Sequence, residues 1–360
     1  MSPLTLALLV GCAKQPFILT NTYADAIYEG VEPVTVAPWE DGMRTHGGKG
    51  TVEWWYFDSR MDDGSTVVVN FMTKPIMKRN KPLTPKMEIT ITETDGTVHQ
   101  SFAFFDADQF SSSVEGCDVR IGQSTVQGDL ETYTMHLEAQ DIEVNLILSR
   151  EVVSWRPGAG KVYFDADRTD YLGWVVAVPH GSVTGTVTVE DRTWNVTGTG
   201  YHDHNWTNTA INKPLDHWYW GRTSVDSYTV LFFAAEGSRR WGHAPLNLFM
   251  LAENEGVLVS GAEGLTVTPR EFTTTKPPYP MELSIVGDQD DLLVTMEMLN
   301  PVILEQEDLL ASMPPIARGF LHLFMRPWYY RFQVDSTLTV ETPTGSSSAD
   351  GKSIYELMIF

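Results

Sequence analysis

Between Gly198 and Arg222 the chain carries three histidines, three tryptophans, two tyrosines, two aspartates and an arginine within 25 residues. They stand as Gly198-Thr199-Gly200-Tyr201-His202-Asp203-His204-Asn205-Trp206 and, nine residues on, Asp216-His217-Trp218-Tyr219-Trp220-Gly221-Arg222. Carboxyl and imidazole groups move protons, and aromatic faces steady the cation that a protonated C=C bond becomes. In a strand, side chains alternate between faces. His202, His204 and Trp206 then share one face, while Tyr201, Asp203 and Asn205 share the other. Either polar face, left unsatisfied, would cost roughly several kcal/mol, so the stretch must form a buried hydrogen-bonded network or line a cavity.

The chemistry these residues fit is acid or electrostatic work on a polyene. An acid kept in a dry site is protonated more readily, because desolvation raises a carboxyl pKa. Asp203, Glu53 and Asp216 are the candidate acids, His204 the candidate catalytic imidazole, and Trp206, Trp218, Trp220 and Tyr56 the candidate aromatic faces, with Tyr201 beside them. A pericyclic cyclisation asks for less: a shaped apolar pocket and one donor, such as His204 or Arg222, on an activating carbonyl. On this reading His204→Ala abolishes turnover without unfolding the protein. His202 and His204 reach one side of a strand and His217 or His180 offers a third nitrogen, but no familiar ligand spacing is present, and no metal site is assigned. There is no phosphate-cradling glycine loop and no serine elbow. Cys117 lacks a basic neighbour in sequence, which argues against a nucleophile. No cofactor is expected.

The elements that must position these groups are strands. Met87-Glu88-Ile89-Thr90-Ile91-Thr92 and Glu143-Val144-Asn145-Leu146-Ile147-Leu148 alternate cleanly, and short strand candidates separated by turns fill the chain from Glu53 onward. The second half repeats the first. At an offset of 163, Glu53-Trp54-Trp55-Tyr56-Phe57 lies over Asp216-His217-Trp218-Tyr219-Trp220; near the ends, Gly198-Thr199-Gly200-Tyr201-His202-Asp203 resembles Gly351-Lys352-Ser353-Ile354-Tyr355-Glu356. The predicted fold is all-β, two tandem β-barrel or β-sandwich domains over 51–212 and 213–360, behind a leader over 13–50. Apolar residues between Pro301 and Pro327 fall at loosely helical spacing, which predicts a short helical insertion near 303–325.

A formal charge of −22 argues against nucleic acid as a partner. Two cysteines, Cys12 and Cys117, make no disulfide framework. The segment Leu4 to Cys12, ending Leu9-Val10-Gly11-Cys12, resembles a bacterial lipoprotein signal, so residues 1–12 are read as a signal ending at a lipid-modified cysteine. That predicts a lipid-anchored protein of the bacterial cell envelope, on its periplasmic face, attached to a membrane surface through Cys12 and monomeric. The basic loop Lys74, Lys78, Arg79, Lys81 and Lys86 reads as solvated.

Glu53-Trp54-Trp55-Tyr56, Gly200-Tyr201-His202-Asp203-His204-Asn205-Trp206, Trp218-x-Trp220-x-Arg222, Tyr330-Arg331-Phe332 and the closing Gly351-x-x-Ile354-Tyr355-Glu356 together resemble the carotenoid 1,2-hydratase (hydroxyneurosporene synthase) family. That family includes AttH-like proteins and fungal decalin-forming Diels-Alderases. The resemblance implies two lipocalin-like domains with an apolar pocket in or between them, and activity at His204 and Trp206. The hydratases' proposed proton donor, an aspartate on the strand after Trp-x-Trp-x-Arg, has no counterpart here: Tyr228 to Ala235 carries no carboxylate before Glu236. Two functions follow as expectations: a hydratase or cyclase acting on a long isoprenoid or polyketide, or a non-catalytic, membrane-anchored carrier of a hydrophobic ligand.

Overall fold

Alternation decides which side chains go inside. Met87, Ile89 and Ile91 are buried along one strand, and Val144, Leu146 and Leu148 along another, while the residues between them turn outward. The computed structural model describes residues 16–261, 264–289, 291–311 and 327–360. Cys12 and the signal over 1–12 lie outside the described residues.

Among the described residues the regular structure is nearly all strand, as predicted, in two curled antiparallel sheets. The first holds β1 (Ile18–Leu19), β2 (Val52–Met61), β3 (Thr66–Met72), β4 (Lys86–Thr92), β5 (Val98–Phe104), β6 (Phe110–Ser112) and β7 (Cys117–Ile121). It continues with β8 (Ser124–Gly128), β9 (Thr132–Ala139), β10 (Ile142–Arg150), β11 (Lys161–Tyr163), β12 (Tyr171–Val189) and β13 (Arg192–Thr207). The second holds β14 (Leu215–Val225), β15 (Tyr228–Gly237), β16 (Pro245–Glu253), β17 (Gly256–Gly261) and β18 (Leu265–Phe272). It closes with β19 (Pro280–Gln289), β20 (Leu292–Asp308), β21 (Trp328–Thr342) and β22 (Gly345–Ile359).

The two sheets follow one plan. From the central pair β2–β13, the first runs through β3, β4 and β5 on one side and β12, β10, β9 and β8 on the other. From β14–β22, the second runs through β15, β16 and β17, and through β21, β20, β19 and β18. The register corrects the repeat by one residue. His204 pairs with Trp55 and Leu357 pairs with Tyr219, so with Asp203 set over Glu356, Trp55 lies over Tyr219, at an offset of 164. An offset of 163 would set inward Trp55 over outward Trp218. A one-residue slip exchanges the faces of a strand. Glu53 therefore corresponds to His217, and Asp58 to Arg222.

Three apolar layers result. One fills the first sheet's concavity around Trp55, Phe57, Val144 and Leu146. Another fills the second around Tyr219, Phe232, Ile285 and Tyr355. The third lies between the sheets, where the outward faces of the central strands meet around Tyr56, Trp174, Tyr201, Trp220 and Phe233.

Two expectations are revised. Residues 303–308 are not helical but the end of β20, paired to β21 as far as Asp308 opposite Trp328. Register shifts at Leu299/Val302 and Ile303/Glu305 insert extra residues, and such bulges break the two-residue period and imitate a helical one. Residues 312–326 lie outside the described residues. The segment read as a leader is also more than a cover. β1 pairs with β11, Tyr23–Glu29 forms a capped helix, and a 3-10 turn at Pro38–Asp41 buries Glu40 and Asp41.

Candidate functional site

The inward face of β13 points into the first sheet's core. His204 is fully buried, its ring stacked on Trp55 at 4.6 Å and tilted against Trp206 at 5.0 Å. Its Nε2 lies 2.8 Å from Glu53 Oε1, and its Nδ1 lies 3.3 Å from the Glu40 carbonyl. Glu53 also accepts the Arg44 and Thr45 backbone N–H groups and the Thr45 hydroxyl. Burial alone would raise this carboxyl. The bonds from His204, Thr45 and Arg44 outweigh it and hold the pKa below the usual range. Trp206 packs flat against Gly173, where a Cβ would fall 2.2 Å from the indole.

Next to it, His202 stacks on Phe57 at 3.8 Å and bridges the Tyr56 carbonyl to Asp41 Oδ2, which also takes the Tyr133 hydroxyl at 2.5 Å. Asp41, Cys117 and His202 each bring a ligand-type atom within 4.8 Å of the others. Burial, with Asp41 and Asp118 nearby, pushes the Cys117 thiol well above its usual range, the reverse of what a metal-binding thiolate needs. Asp41 Oδ2 already takes the His202 ring and the Tyr133 hydroxyl, while Oδ1 meets no donor among the described residues. This cluster reads as a hydrogen-bonded core.

The outward face of β13 meets the second sheet. Asp203 is saturated: Trp174 Nε1 and the Tyr201 hydroxyl donate to Oδ2 at 2.9 and 2.8 Å, and Asn205 Nδ2 to Oδ1 at 2.7 Å. Burial still lifts its pKa to about 6. Arg222 holds Asp58 through Nε and Nη2 and lies 5.4 Å over the Tyr201 ring, so its charge is committed across the junction. Trp218, half-buried, packs on Phe233 and Phe360.

Tyr56 bridges the sheets, its hydroxyl reaching Asp58 Oδ2 at 3.2 Å and Glu356 Oε1 at 3.3 Å. Glu356 occupies the position matched to Asp203, and Tyr329, two residues before its cross-strand partner, donates to it at 2.7 Å just as Trp174 does to Asp203. Glu356 is partly buried, and both hydroxyls go to Oε1. Burial raises its carboxyl to about 7 against the pull of Arg331.

Register sets four of these side chains in one row. Trp220 pairs with Glu356, Glu356 with Arg331, and Arg331 with Glu305, across β14, β22, β21 and β20. Cross-strand neighbours on one face stand about 5 Å apart. Burial lifts Glu305, like Glu356, to about 7. Arg331 is 2% exposed, with Nη2 3.8 Å from Asp58, and its Nε and Nη2 have no hydrogen-bond partner among the described residues. Nor does Trp220 Nε1.

The sequence-predicted residues are thus divided between two places. His204, Glu53 and Trp206 lie inside the first sheet; Asp203, Tyr201, Tyr56, Trp218, Trp220 and Arg222 face the junction. Asp216 is at the surface beside His217. Glu236 is likewise outside, paired with His243. Asp58, Glu305, Tyr329, Arg331 and Glu356 were not among the candidates. Asp58 lies five residues past Glu53 on the same strand, and Arg331 lies within the Tyr330-Arg331-Phe332 motif. In that motif alternation turns both aromatics inward and the guanidinium toward the junction. A cleft of about 340 Å³ lined by Phe164, Asp170, Lys213, Pro214, Arg240 and Trp241 shares no residue with either network.

Residues 118–256 match the family model described as carotenoid hydratase CrtC. Hydroxyneurosporene dehydrogenase of Chlorobaculum tepidum is 26% identical over 106 residues, 28% of each chain. The match therefore spans under a third of that relative's length. Among solved structures, an AttH-type protein of Nitrosomonas europaea superposes with a TM-score of 0.63 at 15% identity, over 91% of this chain and 99% of its own. Kievitone hydratase of Nectria haematococca superposes at 0.59 with 13% identity, over 91% and 93%. The fold is that of the lipocalin-like AttH proteins, and the likeness to carotenoid hydratases read from the motifs stands.

Proposed function

We propose that this relative of the carotenoid hydratases is a hydratase- or cyclase-type enzyme that protonates an apolar, unsaturated substrate at the junction of its two sheets, with Glu356 as the acid. The observation that carries this reading is the Glu356 carboxyl: raised to about 7, held through one oxygen by Tyr329 and Tyr56, and set between Trp220 and Arg331. A carboxyl of that pKa is substantially protonated at neutral pH and is matched to general-acid work. In hydration, Glu356 gives its proton to one carbon of a C=C bond. The cation left on the other carbon rests near the faces of Trp220 and Tyr56. Water adds there and returns a proton to the carboxylate, so the group ends as it began. In cyclisation the same carboxyl activates the substrate without adding water.

Asp203 is the weaker acid candidate, since both its oxygens already take protein donors. His204 and Glu53 act in this reading as the buried support that fixes β2 against β13, the two strands that present Tyr56, Asp58 and Asp203. The test is incubation of the full chain with conjugated polyenes in oxygen-labelled water. A product carrying one labelled oxygen means hydration. An unlabelled isomer means cyclisation. Binding with neither product, at every pH between 5 and 8 or so, would leave the carrier function instead.

A further inference from the structure

The row Trp220–Glu356–Arg331–Glu305 contains more donors than its neighbours can use. Among the described residues, Arg331 Nε and Nη2 and Trp220 Nε1 meet no acceptor, on side chains 2% and 6% exposed. Buried donors without acceptors are costly, and native structures keep them where a ligand or ordered solvent completes them. Arg222, the other guanidinium of the junction, shows what satisfaction looks like here: both its contacts go to Asp58. Arg331 comes only within 3.8 Å of that same carboxylate.

We infer that Arg331 and Trp220 form an oxygen-recognition site, which takes the carbonyl oxygen of a conjugated enone or polyene carbonyl and so aligns its unsaturated chain along the junction. The inference rests on the junction being the substrate site, as proposed above, and adds that the substrate is not a pure hydrocarbon. A neutral carbonyl fits better than a carboxylate, because Asp58, Glu356 and Glu305 already surround the one guanidinium. The two donors flank Glu356, from β14 and β21 with Glu356 between them on β22, so the oxygen of an extended ligand would lie over Glu356 within the row. The ligand's carbon chain is then left against Tyr56 and Trp218.

The experiment uses the full chain and two probes of equal length, all-trans-retinal and axerophtene, the C20 hydrocarbon with a methyl group in place of the aldehyde. Binding is read by tryptophan quenching and by the polyene absorption band. Retinal should bind more tightly than the hydrocarbon, with its band moved to longer wavelength, because donors on the carbonyl oxygen polarise the conjugated chain. Trp220→Phe, which removes the N–H and keeps a ring, should weaken retinal about two- to twelvefold and leave the hydrocarbon unchanged. Arg331→Lys should abolish most of the band shift. Glu356→Gln, in contrast, should bind retinal with the shift intact. Equal affinity for the two probes, an unshifted band, or no retinal binding at all overturns the inference. Loss of turnover in Glu356→Gln alongside any of those results would leave the acid reading standing while this one falls.

Discussion

The first sheet's interior and the junction between the sheets both bury charged and polar side chains, but they finish them differently. Inside, His204, Glu53, His202, Asp41 and Tyr133 answer one another, Asp41 Oδ1 being left without a donor among the described residues, and Trp55 and Phe57 close the rings on their faces. At the junction, Asp203 and the Asp58–Arg222 pair are answered too, yet Arg331 and Trp220 keep donor groups without acceptors among the described residues and Glu356 takes both its donors through one oxygen. The matched acids make the contrast sharpest, because Asp203 and Glu356 hold equivalent strand positions and each takes an aromatic donor from the neighbouring strand. Saturation marks polar groups that hold a fold together; incompleteness beside an aromatic wall marks a place that works on something else.

Exchanging the acid should break this contrast most visibly. Glu356→Gln is expected to lower turnover by about 10²- to 10⁴-fold while the protein stays folded. Wild-type turnover should be level below about pH 7 and fall as pH rises through it, since the protonated carboxyl is the active form. A rate profile unmoved by the substitution would place the acid elsewhere. Next in size, His204→Ala should cost about 3–5 kcal/mol of stability, read by urea unfolding, because it opens a cavity between Trp55 and Trp206 and takes a partner from buried Glu53. The enclosed ring thus turns the expected loss of catalysis into an expected loss of folding. Full stability with absent turnover would move His204 into the chemistry.

Trp174→Phe sharpens the comparison by making Asp203 resemble Glu356. The loss of one donor should cost about 1–3 kcal/mol. Asp203 is raised in the folded state, so its contribution is full below the unfolded pKa and is lost as pH rises through about 6. The donor bonds favour the charged form, so the variant should lag the wild type more above that pH than below it; a pH-independent gap in urea titrations would contradict this. The smallest effect is expected from Glu131→Gln, an exposed carboxylate paired with the partly buried Arg150: under about 1 kcal/mol in the same titration.

Much of this was legible in the chain. Alternation placed His204 and Asp203 on opposite faces, and the repeat, read from a few aromatic and acidic residues, described two sheets of one plan. The offset missed by one because Trp54 and Trp55 are the same residue type, and only hydrogen-bond register separates inward from outward. Asp41 and Glu40 were hidden by distance: the residues that complete His202 and His204 lie over 160 positions earlier, within a segment without periodicity. Glu305 was obscured by the bulges that made its strand read as helix. Arg331 and Glu356 stood in recognised motifs, but their meeting across β21 and β22 is a fact of pairing, which spacing along one strand cannot express.

The bare wall at residue 173 has a mechanical consequence. Trp206 sits where a side chain at residue 173 of β12 would have to be, and His204 packs against the same indole. Even a single methyl group there would be felt as a shove on the imidazole and, through it, on Glu53. Whoever wishes to loosen or tighten the first sheet's histidine without touching it has, in that glycine, the place to push.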